Sequence, residues 1–560
     1  MRPHVKFWPA RLPYEVGTPD TPLHDNLEVS ARRYPHRDAI RFLGSRITYL
    51  ELKRRVDAMA GWLQQAAGVA RGDRVLLMLQ NSPQFVIGFY AILRAGGVVV
   101  PVNPMNRADE LQHYLQDSGA RVAICADDLA ALLAEADAAL PADQRLRVIL
   151  AAHYADDLPP AGSAAAEPLP EAWQAWLAAD PALPAQAVAW RAALSRRCIP
   201  STDETSADDL AVLPYTSGTT GFPKGCMHTH RSIMHNVVSG ALWGGLSAEV
   251  VTLAVVPLFH VTGMLYGMHT PIYVGATAVM MPRWDREFAA ALIARDRITH
   301  WTNIPTMVID LFGSPNVDRF DLSSLRMMNG GGAPMPQAIA ERLQQQFGLT
   351  YCEGYGLTET AAPSHSNPPD RAKLQCLGIP IIGTDARVVD PIDFRELPPG
   401  EVGEIIIHGP QVFQGYWRNP EATAAAFIEF DGRKFFRSGD LGRTDDEGYF
   451  FIADRLKRMI NASGFKVWPA EVELLLYKNP AVQEACVISH KDPYRGETVK
   501  AVIVLRQAAR GVTTAEQIIE WSREHMAAYK VPRLVEFVEA LPKSGTGKVM
   551  WRKLQERENG

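Results

Sequence analysis

Apolar and polar positions follow two different periods between residues 20 and 125. The segments "NLEVSARRYP" and "TYLELKRRVDAMAGWLQQAAG" carry apolar residues every three or four positions, which predicts amphipathic helices, and Gly68 is a plausible stop for the second one. The runs "DRVLLML" and "GVVVPV" are short and continuously apolar, which indicates buried strands. Strands that alternate with helices in this way predict βαβ units and a covered parallel sheet.

The longest apolar stretch is "AVVPLFHVTGMLYGMHTPIYVGATAVMMP", at 254–282. It is long enough to be compared with a membrane-spanning helix. Pro257, His260, His269 and Pro271 lie inside it, and a spanning helix tolerates such residues poorly. The pattern therefore favours a buried strand, a turn, a helix and a second strand.

Later segments differ in character. Residues 126–205 are rich in Ala, Pro and Asp, and we interpret them as surface helix and loosely ordered linker. Strand and helix signals alternate again from 210 to 450. A smaller unit begins near 453–458 and contains the strand-like "AVQEACVISH" and "VKAVIVLR", with an amphipathic helix around 514–529. The chain beyond this boundary is long enough for a small α+β domain.

Composition narrows the class of protein. A length of 560 residues exceeds what one hydrophobic core usually serves, so at least two domains are expected. A net charge of −5 gives no electrostatic case for a nucleic-acid partner. The six cysteines lie far apart without a C-x-x-C pair, which indicates reduced thiols in a cytosol. The N-terminus lacks the apolar core of a secretory signal, and no transmembrane segment is predicted.

The segment "YTSGTTGFPKG", residues 215–225, is the first candidate for chemistry. Its glycines let backbone N–H groups approach an anion, its hydroxyl side chains add donors, and Lys224 adds a positive charge. The spacing is not that of a Walker A loop. "DDLAVLPY" before it reads as a strand and "MHTHRSIMHNVV" after it as a helix, the setting in which phosphate loops occur. A flexible polar turn is the alternative on this evidence alone.

This loop closely resembles the signature loop of the adenylate-forming (ANL) superfamily, in particular its acyl-CoA synthetase branch. Further motifs follow in the order of that superfamily: "NGGGAPMP" (329–336), "EGYGLTET" (353–360), "GYWRNPEAT" (415–423), "RSGDLGR" (437–443), "DRLKRMINASGFKVWPAEVE" (454–473) and "PKSGTGK" (542–548). The match extends over roughly residues 30–553. Seven motifs in sequence make chance resemblance remote.

The resemblance implies an α/β fold with two domains and a hinge. The larger one, residues 1–454, would contain stacked mixed and parallel sheets with covering helices, in αβαβα-like layers, together with a β-rich subdomain and the insertion at about 126–205. Residues 455–457 would form the hinge. Residues 458–560 would form a small mobile α+β domain that rotates after the first reaction step.

The resemblance also implies an enzyme, an AMP-forming acid–thiol ligase that uses ATP, Mg²⁺ and coenzyme A. It would join a carboxylic acid to AMP with release of pyrophosphate and then transfer the acyl group to coenzyme A. Lys548 would bridge the carboxylate and the α-phosphate, Thr358 would bond that phosphate, and Glu359 would hold Mg²⁺. These three residues form the expected catalytic set.

Other roles carry over motif by motif. The expected ATP and AMP contacts, including a stacking role for Tyr355 and a ribose contact for Asp440, are Thr216, Ser217, Gly218, Thr219, Thr220, Gly221, Lys224, Gly332, Ala333, Glu353, Tyr355, Gly356, Asp440 and Arg455. Lys457 matches the hinge position. Ser463, Gly464 and Phe465 would line the pantetheine tunnel.

The acid itself is less well specified. We expect its pocket to include His260, Gly263, Met264, Trp301, Gly330 and Gly331. A lone histidine such as His260 is more often a satisfied core residue, and Trp301 could cap the pocket. The segments around these residues are mostly apolar and lack Asp and Lys, which favours a neutral monocarboxylate. A medium- or long-chain fatty acid comes first, and an aryl or arylalkenoic acid second.

Several alternatives stay open. An acyl-AMP ligase that loads a carrier protein is disfavoured because no extra insert lies between 361 and 405. A luciferase-like oxygenase has no residue in its favour, and an inactive nucleotide-binding sensor conflicts with Lys548, Glu359 and Asp440. A zinc site at His228, His230 and His235 lacks a suitably spaced acidic or cysteine partner. A homodimer and peripheral contact of a cytoplasmic enzyme with the inner membrane face are both compatible with the sequence.

Overall fold

The computed structural model describes residues 2–160, 162–163, 166–216, 223–332, 334–455, 458, 460–462, 465–467, 469–492, 496–543 and 549–559. Arg455, Asn461, Phe465 and Lys466 are described for their backbone only. The α-helices are α1 Asp25–Arg33, α2 Tyr49–Gln65, α3 Pro83–Arg94, α4 Ala108–Ser118, α5 Asp127–Ala138, α6 Glu171–Leu177, α7 Trp190–Ser195, α8 His230–Trp243, α9 Val261–Met264, α10 Thr270–Val274, α11 Arg286–Asp296, α12 Pro305–Phe312, α13 Gln337–Phe347, α14 Pro420–Ala425, α15 Pro469–Leu476, α16 Ala515–His525 and α17 Trp551–Asn559.

The strands are β1 Asp38–Phe42, β2 Ser45–Thr48, β3 Arg74–Met78, β4 Val98–Pro101, β5 Val122–Ala126, β6 Val148–Ala152, β7 Ala187–Ala189, β8 Leu210–Val212, β9 Tyr215–Thr216, β10 Lys224–Gly225, β11 His228–Thr229, β12 Val251–Ala254, β13 Thr277–Met280, β14 His300–Asn303, β15 Met327–Gly331, β16 Tyr351–Leu357, β17 Ala362–Ser366, β18 Ile379–Pro380, β19 Asp385–Val389, β20 Gly403–His408, β21 Phe427–Phe430, β22 Arg433–Thr444, β23 Phe450–Arg455, β24 Ile460–Ala462, β25 Phe465–Val467, β26 Val482–Asp492, β27 Gly496–Leu505 and β28 Leu534–Phe537.

Two large sheets form the bulk of the fold. Among the described residues, one sheet has nine strands in the order β18-β17-β16-β15-β14-β12-β13-β1-β2, and the other has seven in the order β11-β8-β4-β3-β5-β6-β7. Neighbouring strands from β16 to β1 run parallel, as do those from β8 to β7, and antiparallel strands lie at the edges. The expected mixed and parallel sheets are confirmed.

Helix α3 shows how the layers pack. Every residue from Pro83 to Leu93 is buried, so this helix is covered on all sides, as its continuously apolar sequence "PQFVIGFYAIL" requires. The core around it joins side chains of both large sheets, for example Leu77 of β3 and Val279 of β13. Layered burial of this kind produces parallel strands that are apolar on both faces.

The segment 126–205 contains the expected helices, α5, α6 and α7, but part of it is sheet rather than loosely ordered linker. Strands β6 and β7 extend the seven-stranded sheet through parallel pairing, and Trp173 and Trp190 are buried in the main core. The Ala- and Pro-rich composition hid these strands, because β6 ("VILAA") and β7 are only five and three residues long. The prediction for 254–282 is confirmed: β12, a helix and β13 follow one another. In the described part of the chain, no helix is long and apolar enough to cross a membrane.

The chain divides into two compact units. The larger unit contains Val5–Asp385 and Ile407–Phe436, and the smaller contains Met1–His4, Ala386–Ile406 and Arg437–Gly560. The division therefore passes through β20 and between Phe436 and Arg437 of β22, whereas the sequence places a hinge at 455–457; the position of that hinge stays a prediction. In the smaller unit, β26 and β27 form a long antiparallel pair, and β28 adds to β27 in parallel.

Candidate functional site

Strands β9 and β10 bracket the glycine-rich loop. Thr216 pairs with Lys224, and Tyr215 with Gly225, in an antiparallel ladder. Ser217, Gly218, Thr219, Thr220 and Gly221 lie outside the described residues. Helix α8 begins at His230, after the short strand β11, and Thr229 caps it by accepting the N–H of Ser232. The predicted order of strand, loop and helix is confirmed, with β10 and β11 inserted before the helix.

The motif "GYWRNPEAT" forms a second ladder against the segment that follows this loop. The N–H of Met227 donates to Gly415 O at 3.0 Å, the N–H of Gln414 to Met227 O at 2.9 Å, and the N–H of Trp417 to Gly225 O at 2.8 Å. Residue 415 must be a glycine, because its φ is 147° and a Cβ there would lie 2.5 Å from Thr423. This ladder fixes the main chain around residue 416.

Tyr416 links the loop to the acidic residue of the next motif. The ammonium of Lys224 lies 4.1 Å from the centre of its ring, and its hydroxyl donates to Glu359 Oε1 at 2.8 Å. Burial, and then the negative charge of Glu359, raise the pKa of the Tyr416 hydroxyl far above its usual range, so the hydroxyl remains a donor. Lys224, Tyr416 and Glu359 thus form a connected polar group.

Glu359 lies in a strained turn after β16. Residues Thr358–Thr360 form one 3₁₀ turn, and the two alanines that follow have φ values of 50° and 81°. Asn236 of α8 stabilises this turn, because its amide donates to Thr360 O at 2.9 Å, Ala361 O at 2.9 Å and Pro363 O at 3.2 Å. Glu359 is 8% exposed. The turn presents Thr358 and Glu359 in a fixed backbone conformation.

His228 supports the same turn. Burial lowers its pKa to about 4, so the ring is neutral near pH 7. Its Nε2 lies 2.8 Å from Thr358 O. A carbonyl oxygen can only accept a hydrogen bond, so Nε2 carries the hydrogen. His230 accepts the N–H of Leu23, and His235 Nε2 bonds Ile382 O. These partners account for the three histidines as structural residues rather than zinc ligands.

Strand β16 carries the residues predicted to contact adenine. Glu353 is buried and accepts the N–H of Gln375 at 2.7 Å, and burial raises its pKa to about 7. The ring of Tyr355 lies 5.6 Å from that of His365. At Gly356 a Cβ would lie 1.8 Å from Ala362 O, so the bulged pairing of β16 with β17 requires glycine there.

The glycines 330–332 are needed by the fold itself. A Cβ at Gly330 would lie 2.2 Å from the hydroxyl of Tyr351, and one at Gly331 would lie 2.4 Å from Gly354 O. Gly332 has a φ of 84°. Close strand contacts therefore explain these glycines without a ligand, and Ala333 lies outside the described residues.

A narrow cavity lies between α8 and the nine-stranded sheet. It is lined by Gly240, Trp243, Gly244, Leu246, Val250, Thr252, Tyr266, Pro271, Val274, Ala276, His300, Thr302, Met327, Asn329, Cys352 and Ser366. Its strand residues come from β12, β14, β15 and β16, whereas Gly331 ends β15 and Glu359 follows β16 at their carboxyl ends. Met327 and Cys352 of the lining lie near the amino-terminal ends of β15 and β16, away from Gly331 and Glu359.

The predicted acyl residues are placed differently from this cavity. Successive strand side chains point to opposite faces, so Trp301 lies on the face opposite to His300 and Thr302, where it is fully buried and stacks on Trp284 at 5.8 Å. Met264 is a core residue. Gly263 opens no space, because a Cβ there would lie 2.2 Å from Pro257 O. His260 is exposed, so its interpretation as a core histidine is wrong.

The smaller unit holds two of the predicted nucleotide residues. Asp440 of β22 is 2% exposed and pairs in register with Arg455 of β23. Ser438 Oγ accepts the Asp440 N–H at 3.0 Å and donates to Ile405 O at 2.6 Å, which fixes the backbone there. A β-bridge joins Lys543 to Val549 on either side of Lys548. Lys457, Ser463, Gly464 and Lys548 lie outside the described residues, and Phe465 is described only as backbone of β25.

Sequence reasoning missed two kinds of site residue. Tyr416 and Asn236 have no role in the sequence prediction. The motif "GYWRNPEAT" contains Tyr416, and the available signal was a tyrosine that precedes a helix cap in that motif. The cavity residues Tyr266, His300, Thr302 and Asn329 lie in the predicted wall segments but on the other strand face or helix side. Assigning the face of β14 requires knowing which side of the sheet α8 covers.

Two family models match the chain: AMP-binding enzyme over residues 27–417 and AMP-binding enzyme C-terminal domain over residues 471–548. The chain is 36% identical over 564 residues to a long-chain-fatty-acid–CoA ligase of Bacillus subtilis (strain 168), covering 100% of this chain and 98% of that protein. It is 37% identical over 532 residues to a feruloyl-CoA synthase of Amycolatopsis sp, covering 94% and 97%.

Solved structures agree with this. ATP-bound MatB from Rhodopseudomonas palustris superposes with a TM-score of 0.81 at 28% identity, covering 96% of this chain and 99% of that one. The similarity covers both units, so the fold is shared along nearly the whole length.

Proposed function

This chain belongs to the AMP-binding enzyme family, and we infer from that membership that it is an ATP-dependent acyl-CoA synthetase. It activates a carboxylic acid as acyl-AMP with release of pyrophosphate, and then transfers the acyl group to coenzyme A with release of AMP. The observation that carries this function is the connected group of Lys224, Tyr416 and Glu359 beside the glycine-rich loop.

The chemistry explains why such a group is needed. A carboxylate acylates poorly because an oxide would have to leave, and adenylation replaces that oxide with AMP. The first step brings the carboxylate and the α-phosphate together, two anions that repel each other. Positive charge and hydrogen-bond donors aimed at the transition state lower this barrier. Lys224, the hydroxyls of the loop and the Thr358 hydroxyl are suited to hold the phosphates.

Glu359 is suited to hold Mg²⁺. A carboxylate on a rigid turn, next to the loop that would hold the phosphates, is the hard oxygen donor that this cation prefers. Mg²⁺, when bound, would supply positive charge that offsets part of the charge of the phosphates. The chain's own contribution is to fix the carboxylate, through Asn236 on the backbone and Tyr416 on the side chain.

Asp440 and Lys548 have roles that we propose from their motifs. A carboxylate such as Asp440 can accept hydrogen bonds from two ribose hydroxyls. Arg455 is its partner in register on the neighbouring strand. Lys548 would neutralise charge between the acid and the α-phosphate. After adenylation, rotation at Lys457 would withdraw Lys548 and present residues 463–465 to coenzyme A.

The acid that the cavity favours is a neutral monocarboxylic acid with a long apolar tail. Along β15, the distance from Gly331 to Met327 is about 13 Å at a rise of about 3.3 Å per residue. The described residues of the lining are mainly apolar, and none of them is an Asp, Glu, Lys or Arg that could bind a second charge. Thr302 and Asn329 bond each other at 2.9 Å, which satisfies part of the polar lining. An aryl or arylalkenoic acid is the second candidate, because His300 and Tyr266 could bond a ring substituent.

No disulfide joins any of the six cysteines, which supports a reducing compartment such as the cytoplasm. In such a compartment ATP and coenzyme A would both be supplied.

Exchange of labelled pyrophosphate into ATP tests the proposal. It should require an added acid, and thioester should then form on coenzyme A rather than on a carrier protein. Lys548→Ala should lower the exchange rate by about 100-fold or more, because one positioned charge is lost. Lys543→Ala is the matched control, since Lys543 pairs with Glu484 at 2.8 Å outside the loop. Exchange at the parental rate in Lys548→Ala would contradict the assigned role.

A further inference from the structure

Tyr416 is the one side chain described here that touches both the cation of the glycine-rich loop and the carboxylate of the acidic turn. Its ring centre lies 4.1 Å from Lys224 Nζ, and its hydroxyl lies 2.8 Å from Glu359 Oε1. A tyrosine offers these two interactions through separate parts, since the π face attracts a cation and the hydroxyl donates to an anion.

The main chain holds Tyr416 in this position. The ladder of residues 414–417 with 225–227 places it beside the strand that begins at Lys224. The N–H of Phe413 donates to Glu359 O at 2.9 Å, so the same segment also fixes the backbone of the acidic turn. The Tyr416 N–H donates to Thr423 Oγ1 at 2.9 Å, which ties the residue to α14. The main chain of Tyr416, held in these three ways, moves little relative to either motif.

The packing around the ring limits its rotation. Phe413 lies 4.9 Å away in an edge-to-face arrangement, and Cys226 and Phe436 belong to the same buried cluster. Tyr416 itself is 8% exposed. A bulky ring in a packed cluster keeps one orientation, so the direction of its hydroxyl is set by the fold rather than by a ligand.

We propose that Tyr416 is a positioning residue for adenylation: its hydroxyl orients the Glu359 carboxylate towards the metal-bound triphosphate, and its ring holds the Lys224 ammonium beside that carboxylate before ATP binds. Tyr416 acts through these two residues and does not touch substrate. The inference rests on the proposed function, because it assigns a purpose to Glu359 and Lys224 within that reaction.

Two substitutions separate the two interactions. Tyr416→Phe removes the hydroxyl and keeps the ring, so only the orientation of Glu359 is loosened. Tyr416→Leu removes both. The matched control is Tyr154→Phe, which deletes another buried tyrosine hydroxyl that accepts a backbone N–H, that of Gln80 at 2.7 Å, away from this group. Thermal midpoints of all three variants report any loss of folding.

The first readout is the affinity for Mn²⁺ in the presence of ATP, measured by electron paramagnetic resonance without turnover. Tyr416→Phe should weaken Mn²⁺ binding about tenfold, as loss of a partner behind a metal ligand commonly does. Tyr154→Phe should bind Mn²⁺ as the parent does. Parental Mn²⁺ affinity in Tyr416→Phe would overturn the proposal.

The second readout is the kinetics of acid-dependent exchange. Tyr416→Phe should lower kcat about tenfold with an unchanged KM for the acid, and Tyr416→Leu should also raise the KM for ATP because Lys224 loses its contact. A fall in the thermal midpoint with kcat unchanged would mark a purely structural role and overturn the proposal. Absence of exchange in the parental protein would instead reject the proposed function, while the Mn²⁺ comparison still tests Tyr416.

Discussion

At the scale of single residues, the acidic turn depends on one amide side chain. Ala361 and Ala362 both have positive φ values, a conformation that costs about 1 kcal/mol or more for each non-glycine residue. Asn236 offsets that strain by donating to three carbonyl groups of the turn. Thr360 Oγ1 adds a bond to Ala362 O at 2.8 Å. The conformation of Glu359 is therefore determined by a helix more than 120 residues earlier in the chain.

Asn236→Asp tests this dependence. The substitution keeps the shape but replaces the donor by a carboxylate that faces three carbonyl oxygens, so repulsion and unsatisfied acceptors should lower the free energy of unfolding by about 3 kcal/mol. Exchange of pyrophosphate should fall at least tenfold. Asn419→Asp is the control, since Asn419 caps α14 and aspartate caps equally well. Thermal and exchange measurements that match the control would contradict the role of Asn236.

At the scale of elements, α8 and the nine-stranded sheet enclose the cavity between them. Gly240 and Gly244 of this helix region face the sheet, and their lack of side chains leaves the space open. The helix 261–274 closes another side and contains a π turn at Leu265–His269, which places Tyr266 in the lining. A Cβ on Gly240 would come within 3.3 Å of the Tyr266 ring. The width of the cavity is thus set where these two elements approach.

Gly240→Val should restrict the enzyme to acids with shorter chains. The valine side chain fills the space beside Tyr266, so kcat/KM should fall about tenfold or more for hexadecanoic acid and much less for hexanoic acid. The control is Leu242→Val, which puts the same residue on the exposed side of α8, where Leu242 is 39% exposed. A competition assay from hexanoic to octadecanoic acid measures the change. An unaltered profile in Gly240→Val would show that the tail lies elsewhere.

At the scale of the whole molecule, buried histidines make stability depend on pH. Burial lowers the pKa of His228 and His300 to about 4. It lowers the pKa of His230 and His269 to about 3. In the unfolded chain these rings titrate near pH 6.5. Between about pH 6.5 and 4 the unfolded chain therefore binds protons that the folded chain does not. The free energy of unfolding falls as the pH falls through this range.

The expected result is a thermal midpoint that declines steadily from pH 6.5 to pH 4.5. Each of these rings contributes about 1.4 kcal/mol per pH unit well below pH 6.5. Glu353 opposes them, because its pKa is raised to about 7 and the folded chain gains a proton as pH falls. The pKa values of His4 and His235 are lowered as well, so six histidines act against Glu353 in the upper part of this range. His269→Gln should flatten the decline, whereas His36→Gln, on an exposed side chain, should not. A midpoint independent of pH in this range would contradict the argument.

The motifs were predictable because each is a local requirement of backbone or charge. Glycines at positions such as 415 and 356, and the patterns that mark α2 and β26, are visible in the sequence without knowledge of distant contacts. The strands within 126–205 were not predicted, because short alanine-rich strands such as β6 carry little signal of their own and are defined by pairing with β5.

The amino-acid sequence by itself determined the family, the order of the elements and the chemistry of the loop and its motifs, since these depend on residue types at fixed spacing. Only the tertiary structure decided that Asn236 holds the acidic turn, that Tyr416 joins Lys224 to Glu359, and that the cavity is lined by His300 and Thr302 rather than by Trp301. These relations connect residues far apart in the chain or depend on which face of a strand is covered, and neither is set by local spacing.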